Sequence, residues 1–209
     1  MTQISIEKYK DIYFKDVVSL LVSSFESKFF HRQNLTSNNI EDILDHIWNI
    51  KQEDLGYLHF VAKNDKKIVG VILIRVGNSL KSDNKIPLFS LCCRYGFFNI
   101  LFFLFKLYFL TISMSKDCYI EHIAVDKSMR GKGVGKLLIS YAEEALRNMK
   151  FRSLFLVVAE SNPAKHLYYR EGFKDVEHIN SPFKGYFIGI SKWIFMKKDI
   201  ISNKYRKIL

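Results

Sequence analysis

Cysteine is scarce in this 209-residue chain: Cys92, Cys93 and Cys118 are all it has. Two of them are adjacent and cannot readily bridge each other. No disulfide framework is therefore legible, and no C-x-x-C spacing offers a zinc site. Proline and glycine are also sparse, at three and ten residues, which excludes collagen-like and low-complexity chains. Negative charge is in deficit, because 32 Lys and Arg face 21 Asp and Glu for a formal charge of +11. The first residues, MTQISIEKYKDIYFKD, lack a basic stretch followed by an apolar one. A signal peptide is not expected, and a cytoplasmic location is.

What is present is the composition of a globular protein, 48% hydrophobic and 25% charged. An excess of +11 points to a polyanion: nucleic acid, an acidic membrane or a phosphate-rich cofactor. Composition does not choose among the three. Basic and aromatic residues are not interleaved in the manner of a nucleic-acid surface, so no nucleic-acid partner is expected. The segment 97–113 (FFNILFFLFKLYFLTIS) is dense in Phe and Leu. A spanning helix needs about 20 apolar residues, and this run contains Asn99 and Lys106. It reads as a buried or half-buried helix, with docking to a membrane surface or to a second subunit left open.

Hydrophobic periodicity supplies the elements. A first strand is expected over Ile4–Lys8, then a helix over 11–30. Asn38 or Asn39 is expected to cap a second helix, with Ile40, Ile43, Leu44, Ile47 and Trp48 on one face. Strands over 58–63 and 67–76 flank Asn64-Asp65, a hairpin turn. A loop from Gly77 to Pro87 leads to an apolar insert over about 88–115. Cys118 to Val125 reads as a strand, Val134 to Met149 as an amphipathic helix, and Ser153 to Ala159 as a strand buried on both faces. A short helix over 163–170 and strands over 173–177 and 186–197 follow, with a basic tail over about 197–209. Mixed β and α segments without a linker or repeat imply a single α/β (α+β) domain over 1–209.

The sharpest motif is Arg130-Gly131-Lys132-Gly133-Val134-Gly135-Lys136, between a strand and a helix. Glycines allow positive φ and let backbone amides converge on one anion. The following helix adds unpaired N–H groups and partial positive charge. Together they form a pyrophosphate cradle. The spacing fits neither the dinucleotide fingerprint nor the P-loop.

Arg130-x-x-Gly133-x-Gly135 resembles the signature of the GNAT family of acyl-CoA-dependent N-acetyltransferases. Ile123-Ala124-Val125-Asp126 is similar to the end of the family's fourth strand, and Leu167-Tyr168-Tyr169-Arg170-Glu171-Gly172-Phe173 to its L-Y-x-x-x-G-F element. The three stand in the family's order over 118–174. The resemblance implies a mostly antiparallel central sheet flanked by helices, with one splayed strand pair. The apolar insert between strands 3 and 4 is longer than the family's connection. Implied too is direct transfer of an acetyl group from acetyl-CoA to a primary amine, of a small molecule or a peptide.

On that resemblance, backbone near Ile123 and Val125 holds the pantetheine arm and the acyl carbonyl. The turn from Arg130 to Lys136 holds the phosphates, and Asn162 either contacts pantetheine or caps its helix. Tyr168 matches the tyrosine that protonates the departing sulfur. Glu121 is the candidate base, or else orients the amine. Strand alternation puts Tyr119, Glu121, Ile123 and Val125 on one face and His122, expected in the core, on the other. Cys118 lacks a legible His partner and is a poor nucleophile. The Phe-rich segment, leading into the strand of Glu121, is expected to wall the acceptor side. A non-catalytic acyl-CoA-binding regulator and a membrane-docked transferase are the alternatives.

Overall fold

The computed structural model of the chain describes residues 4–48, 56–77, 86–110 and 118–200. Seven strands form one sheet in the order β1-β2-β3-β4-β5-β7-β6. They are β1 (Ile4–Lys8), β2 (Tyr57–Asn64), β3 (Lys67–Val76), β4 (Cys118–Val125), β5 (Ser153–Ala159), β6 (Lys174–Asn180) and β7 (Lys192–Asp199). Every neighbouring pair is antiparallel except β4 and β5, which run parallel. Those two strands share a single pair, Tyr119 with Phe155. Beyond it they splay apart. Residues 78–85, where a loop is expected, and residues 111–117 lie outside the described residues.

One face of the sheet is covered by α6 (Val134–Asn148). Its Leu138, Ile139, Ala142 and Leu146 recur at helical spacing and pack on Phe60, Ile72, Ile74, Leu154 and Leu156 in the main core. On the opposite face α1 (Phe14–Ser24) buries Val17, Leu20 and Leu21 against Val61, Val71 and Ala124. The single helix expected over 11–30 is broken instead. A 3-10 turn covers Asp11–Tyr13, and α1 gives way at Phe25 to α2 (Glu26–Phe29). Near the break Ser23 returns its hydroxyl to the Leu20 carbonyl at 2.9 Å, a bond that competes with regular helix.

Helix α3 (Ser37–Ile47) starts earlier than expected. Thr36 is its cap, accepting from the Asn39 N–H, while Asn39 reaches back to the Thr36 N–H. Asn39 is thus the reciprocal partner in a capping box rather than the cap. The apolar insert folds as α4 (Leu88–Tyr95) and α5 (Phe97–Leu110), which meet at 120°. Among the described residues no single helix is long and apolar enough to cross a membrane. Helix α5 is half-buried: Ile100 and Phe103 join Val18, Val22, Ile40, Ile43 and Leu91 in a helical core away from the sheet. Burying a side chain such as Phe103 is worth ~1.5–3 kcal/mol. The polar residues inside α5 are put to use. Lys106, with 0% exposure, donates to the Phe29 carbonyl at 2.7 Å and to that of His31, closing the C-terminal end of α2. Asn99 donates to the Tyr95 carbonyl at 2.9 Å.

A strand expected over 186–197 begins late. Ser181 caps a further helix, α8 (Pro182–Ile188), with Pro182 in its first turn. Gly189 ends it at φ 80°, and only then does β7 start. The short helix preceding β6 is α7 (Lys165–Arg170), with Pro163 in the turn before it. The strand expected over 173–177 runs instead from Lys174 to Asn180. The basic tail enters β7 first, where Lys197 pairs with Asp199 at 2.7 Å and Lys198 with Glu143 of α6. Residues 201–209 lie outside the described residues.

Candidate active site

Strand β4 carries most of the site, and a bulge in it decides which side chains point where. Ile74 pairs with Ile120 and Leu73 with His122, so Glu121 is an extra residue opposite no partner. One unpaired residue reverses the alternation that follows. The expected grouping of Tyr119, Glu121, Ile123 and Val125 on one face is therefore incorrect. Tyr119, Glu121 and His122 together line one cavity, while Ile123 and Val125 line a groove beside it.

The groove has a volume of about 1060 Å³ and runs along the splay between β4 and β5. It is lined by Ile123, Val125, Arg130, Gly131, Gly133, Val134, Gly135, Lys136, Asn162 and Tyr168. Asp126 sets the entry to the glycine turn. It accepts from the Ser128 N–H and hydroxyl at 2.9 and 2.7 Å and pairs with Lys67 at 2.8 Å. Those bonds hold its carboxyl far below the usual carboxylate range. Gly131 and Gly133 sit at φ +75° and +82°, where a side chain is strained. No side chain caps the N-terminus of α6, so its first amides stay available. At Gly135 the constraint is proximity: a Cβ there would lie 2.7 Å from Leu167 Cδ2. Val134 is buried in the main core, leaving only its backbone for the groove. Arg130 donates to the Val125 carbonyl at 3.2 Å, tying the turn to β4. Lys132, placed on the same turn by the sequence, does not line the groove.

Asn162 lines the groove and closes the turn before α7, its Oδ1 accepting from the Ala164 N–H at 3.0 Å; the helix itself has no side-chain cap. Tyr168 on α7 is buried against Phe173 and faces the groove. Burial pushes its hydroxyl well above the ordinary tyrosine value, so it stays protonated at working pH. Tyr169 turns outward and bonds Asp175 at 3.0 Å. Cys118 is fully buried at the start of β4.

The neighbouring cavity, of about 320 Å³, is walled by Leu44, Ile47, Trp48, Leu107, Phe109, Leu110, Val157 and Trp193. The Phe-rich helix does wall this side, through its last turn. Phe103 is in the helical core, and Phe102 and Phe105 pack on Phe187 of α8. Glu121 enters the cavity with Oε1 held by Arg75 Nε at 2.7 Å. Burial raises its pKa above the ordinary carboxylate value, and Arg75 partly opposes that. Tyr119 enters the same cavity, and burial together with the charge of Glu121 pushes its hydroxyl well above the ordinary tyrosine value. His122 packs edge-on to Trp48 and to His59, and its Nε2 has no hydrogen-bond partner among the described residues. Groove and cavity meet at Phe25 and Lys28, which line both. Arg75, Lys28, Lys184 and Trp193 were not singled out from the sequence, and Trp48 was read only as part of a helix's apolar face. Arg75 had a signal, a cation near the end of the otherwise apolar run IVGVILIRV.

The same architecture recurs in solved structures. A PaiA N-acetyltransferase from Thermoplasma acidophilum, in complex with coenzyme A, superposes with a TM-score of 0.57 at 16% identity, covering 94% of this chain and 99% of that one. The ribosomal-protein-S18-alanine N-acetyltransferase from Escherichia coli gives 0.55 at 14% identity, over 97% and 98% of the two chains. A putative phosphinothricin N-acetyltransferase gives 0.60 at 14% identity, over 96% and 100%. Likeness at such identity shows a shared fold. No curated protein matches the sequence of this chain. The family model described as acetyltransferase (GNAT) family matches residues 15–173. That span runs from α1 through the glycine turn to the end of the Tyr168 element, so the chain belongs to the acetyltransferase (GNAT) family.

Proposed function

We propose that this chain is an N-acetyltransferase that moves an acetyl group from acetyl-CoA to a primary amine without a covalent enzyme intermediate. The observation that carries this reading is the junction of groove and cavity at Phe25 and Lys28, with Tyr168 on the groove side and Glu121 on the cavity side. The groove fits a long, phosphate-bearing ligand. Uncapped amides of α6, the glycine turn and two basic side chains stand at one end, and unpaired β4 edge runs along it. Acetyl-CoA, bound there, supplies an acyl group activated as a thioester.

The remaining work falls to the chain. Backbone amides of β4 near Ile123 and Val125 stabilise negative charge developing on the acyl oxygen. Glu121 takes a proton from the incoming amine, aided by a pKa that burial has raised. Tyr168 gives a proton to the departing sulfur, a role suited to a hydroxyl kept protonated by burial. Side-by-side binding contributes through proximity.

The test is thiol release from acetyl-CoA by purified protein over a broad panel of amines, with product mass checked. Turnover that depends on Tyr168 and Glu121 is the expected result. Coenzyme A binding without turnover on any amine overturns the enzymatic reading and leaves a binding protein.

A further inference from the structure

Lys28 of α2 and Lys184 of α8 line the cavity that holds Glu121. Both ammonium groups lie over the indole of Trp193, at 5.4 and 5.0 Å from its centroid, and Lys28 also lies 4.6 Å from that of Phe25. Lys184 is 7% exposed and Lys28 is half-buried. Neither has an acidic partner or a side-chain hydrogen bond among the described residues. Burial pushes both down to about 8, and for Lys28 the charge of Lys184 adds to the effect.

Such an arrangement is costly, since a buried ammonium ordinarily keeps a compensating partner. Other buried cations of this chain follow that rule. Lys106 donates to two carbonyls, Lys198 pairs with Glu143, and Arg75 pairs with Glu121. Because Arg75 and Glu121 offset each other, the cavity keeps the uncompensated positive charge of Lys28 and Lys184. Trp193 stands on β7, two strands from Glu121 on β4, which regular strand spacing alone puts at ~10 Å and the splay of β4 from β5 makes longer. Between them the walls are apolar, from Leu44, Trp48, Leu110 and Val157. A volume of about 320 Å³ is at the small end of the ~300–1,000 Å³ range for ligand sites.

We propose that the acceptor is a small amine with an apolar body and one anionic group, whose anion is held by Lys28 and Lys184 over Trp193 while its amine meets Glu121. This rests on the acetyltransferase reading and adds the chemical class of the acceptor to it. It also turns the net positive charge from an obstacle into a means of recognition. A polyamine is disfavoured, because it would bring further cations to two ammonium groups already without partners.

The experiment compares amines matched in shape, with a carboxylate in one and a neutral carboxamide in the other: phenylalanine against phenylalaninamide, and aminomethylbenzoate against aminomethylbenzamide. The carboxylate member of at least one pair is expected to have a kcat/KM about tenfold or more higher, the worth of one charge-assisted hydrogen bond. Lys184→Met, which keeps an apolar stem, and Lys28→Met should each shrink that ratio. Their melting temperatures, expected not to fall, check that the variants remain folded. Equal use of charged and neutral members by the wild-type protein overturns the proposal, as does a carboxylate preference that survives both substitutions. If no amine is acetylated, calorimetry of aminomethylbenzoate with the coenzyme A-bound protein decides. Lysine-dependent binding keeps the anion site while the enzymatic reading falls; no binding removes both.

Discussion

Glu121 and Tyr168 are the two side chains on which the chemistry is argued, and each makes its own prediction. Burial raises the Glu121 pKa, with Arg75 partly opposing. If the carboxylate is the base, kcat/KM rises with pH as that raised group ionises. Glu121→Gln should lower the rate on the order of 10²-fold or more and abolish that rising limb. Tyr168→Phe should cost a similar factor in kcat with little change in coenzyme A affinity, checked by thiol release and calorimetry. Tyr168 could be chosen over Tyr169 through the family resemblance, whose register to Gly172 and Phe173 falls on Tyr168; the structure buries Tyr168 and turns Tyr169 outward. The environment of Glu121 could not be read that way. Its side chain is aimed by a bulge, and a bulge is a property of the pairing between β3 and β4 rather than of either strand alone. Lys184 was missed for a related reason. It lies just before the strand expected from residue 186, in a segment where Ser181-Pro182 is a helix start and Gly189 a helix stop.

The elements differ in how far their sequences speak for themselves. Strands β3, β4 and β5 occupy the expected residues because they are apolar runs bounded by turn residues. Helix α6 is legible from its 3.6-residue stripe and its glycine start. Helix α5 is apolar nearly all round, so periodicity could not tell its buried side from its exposed one. Its structure now separates the two. Phe103→Ala should cost about 3–5 kcal/mol, while Phe98→Ala, at an exposed position, should leave the melting temperature nearly unchanged. Phe97, Phe98, Phe105 and Tyr108 are exposed on this helix, and liposome flotation of the Phe98→Ala protein beside wild type measures whether they meet lipid. For the phosphate end, Gly135→Ala forces a Cβ to within 2.7 Å of Leu167. The Leu167 side chain must move aside or α7 must shift away from α6, and coenzyme A affinity should drop in calorimetry.

At the scale of the whole molecule, two histidines tie stability to pH. His59 stacks on Tyr9 at 4.1 Å, and neither of its ring nitrogens has a hydrogen-bond partner among the described residues. Burial holds it down to about 3, and holds His122 well below its ordinary value with help from His59. The unfolded chain protonates both below a pH of about 6.5, whereas the folded chain does not. The stability they permit is therefore complete above that pH and declines as pH falls, by ~1.4 kcal/mol per unit for each. For His59 the decline ends only near its folded value of about 3. Urea midpoints should fall between neutral pH and pH about 5, and His59→Phe, which keeps a ring against Tyr9, should shrink the difference.

The lone rung between β4 and β5 has a consequence for the order in which the molecule comes apart. Strands β1 to β4 are zipped by ladders of at least five pairs, each with at most one bulge, and so are β5, β7 and β6. Between those blocks the sheet holds by Tyr119 with Phe155 and through helix packing. Native-state hydrogen exchange should accordingly resolve two cooperative units that part along this seam before either melts. A ligand lying in the groove touches both units and should slow the exchange of both together, so occupancy would be legible as mechanical cohesion far from the turn that grips the phosphates.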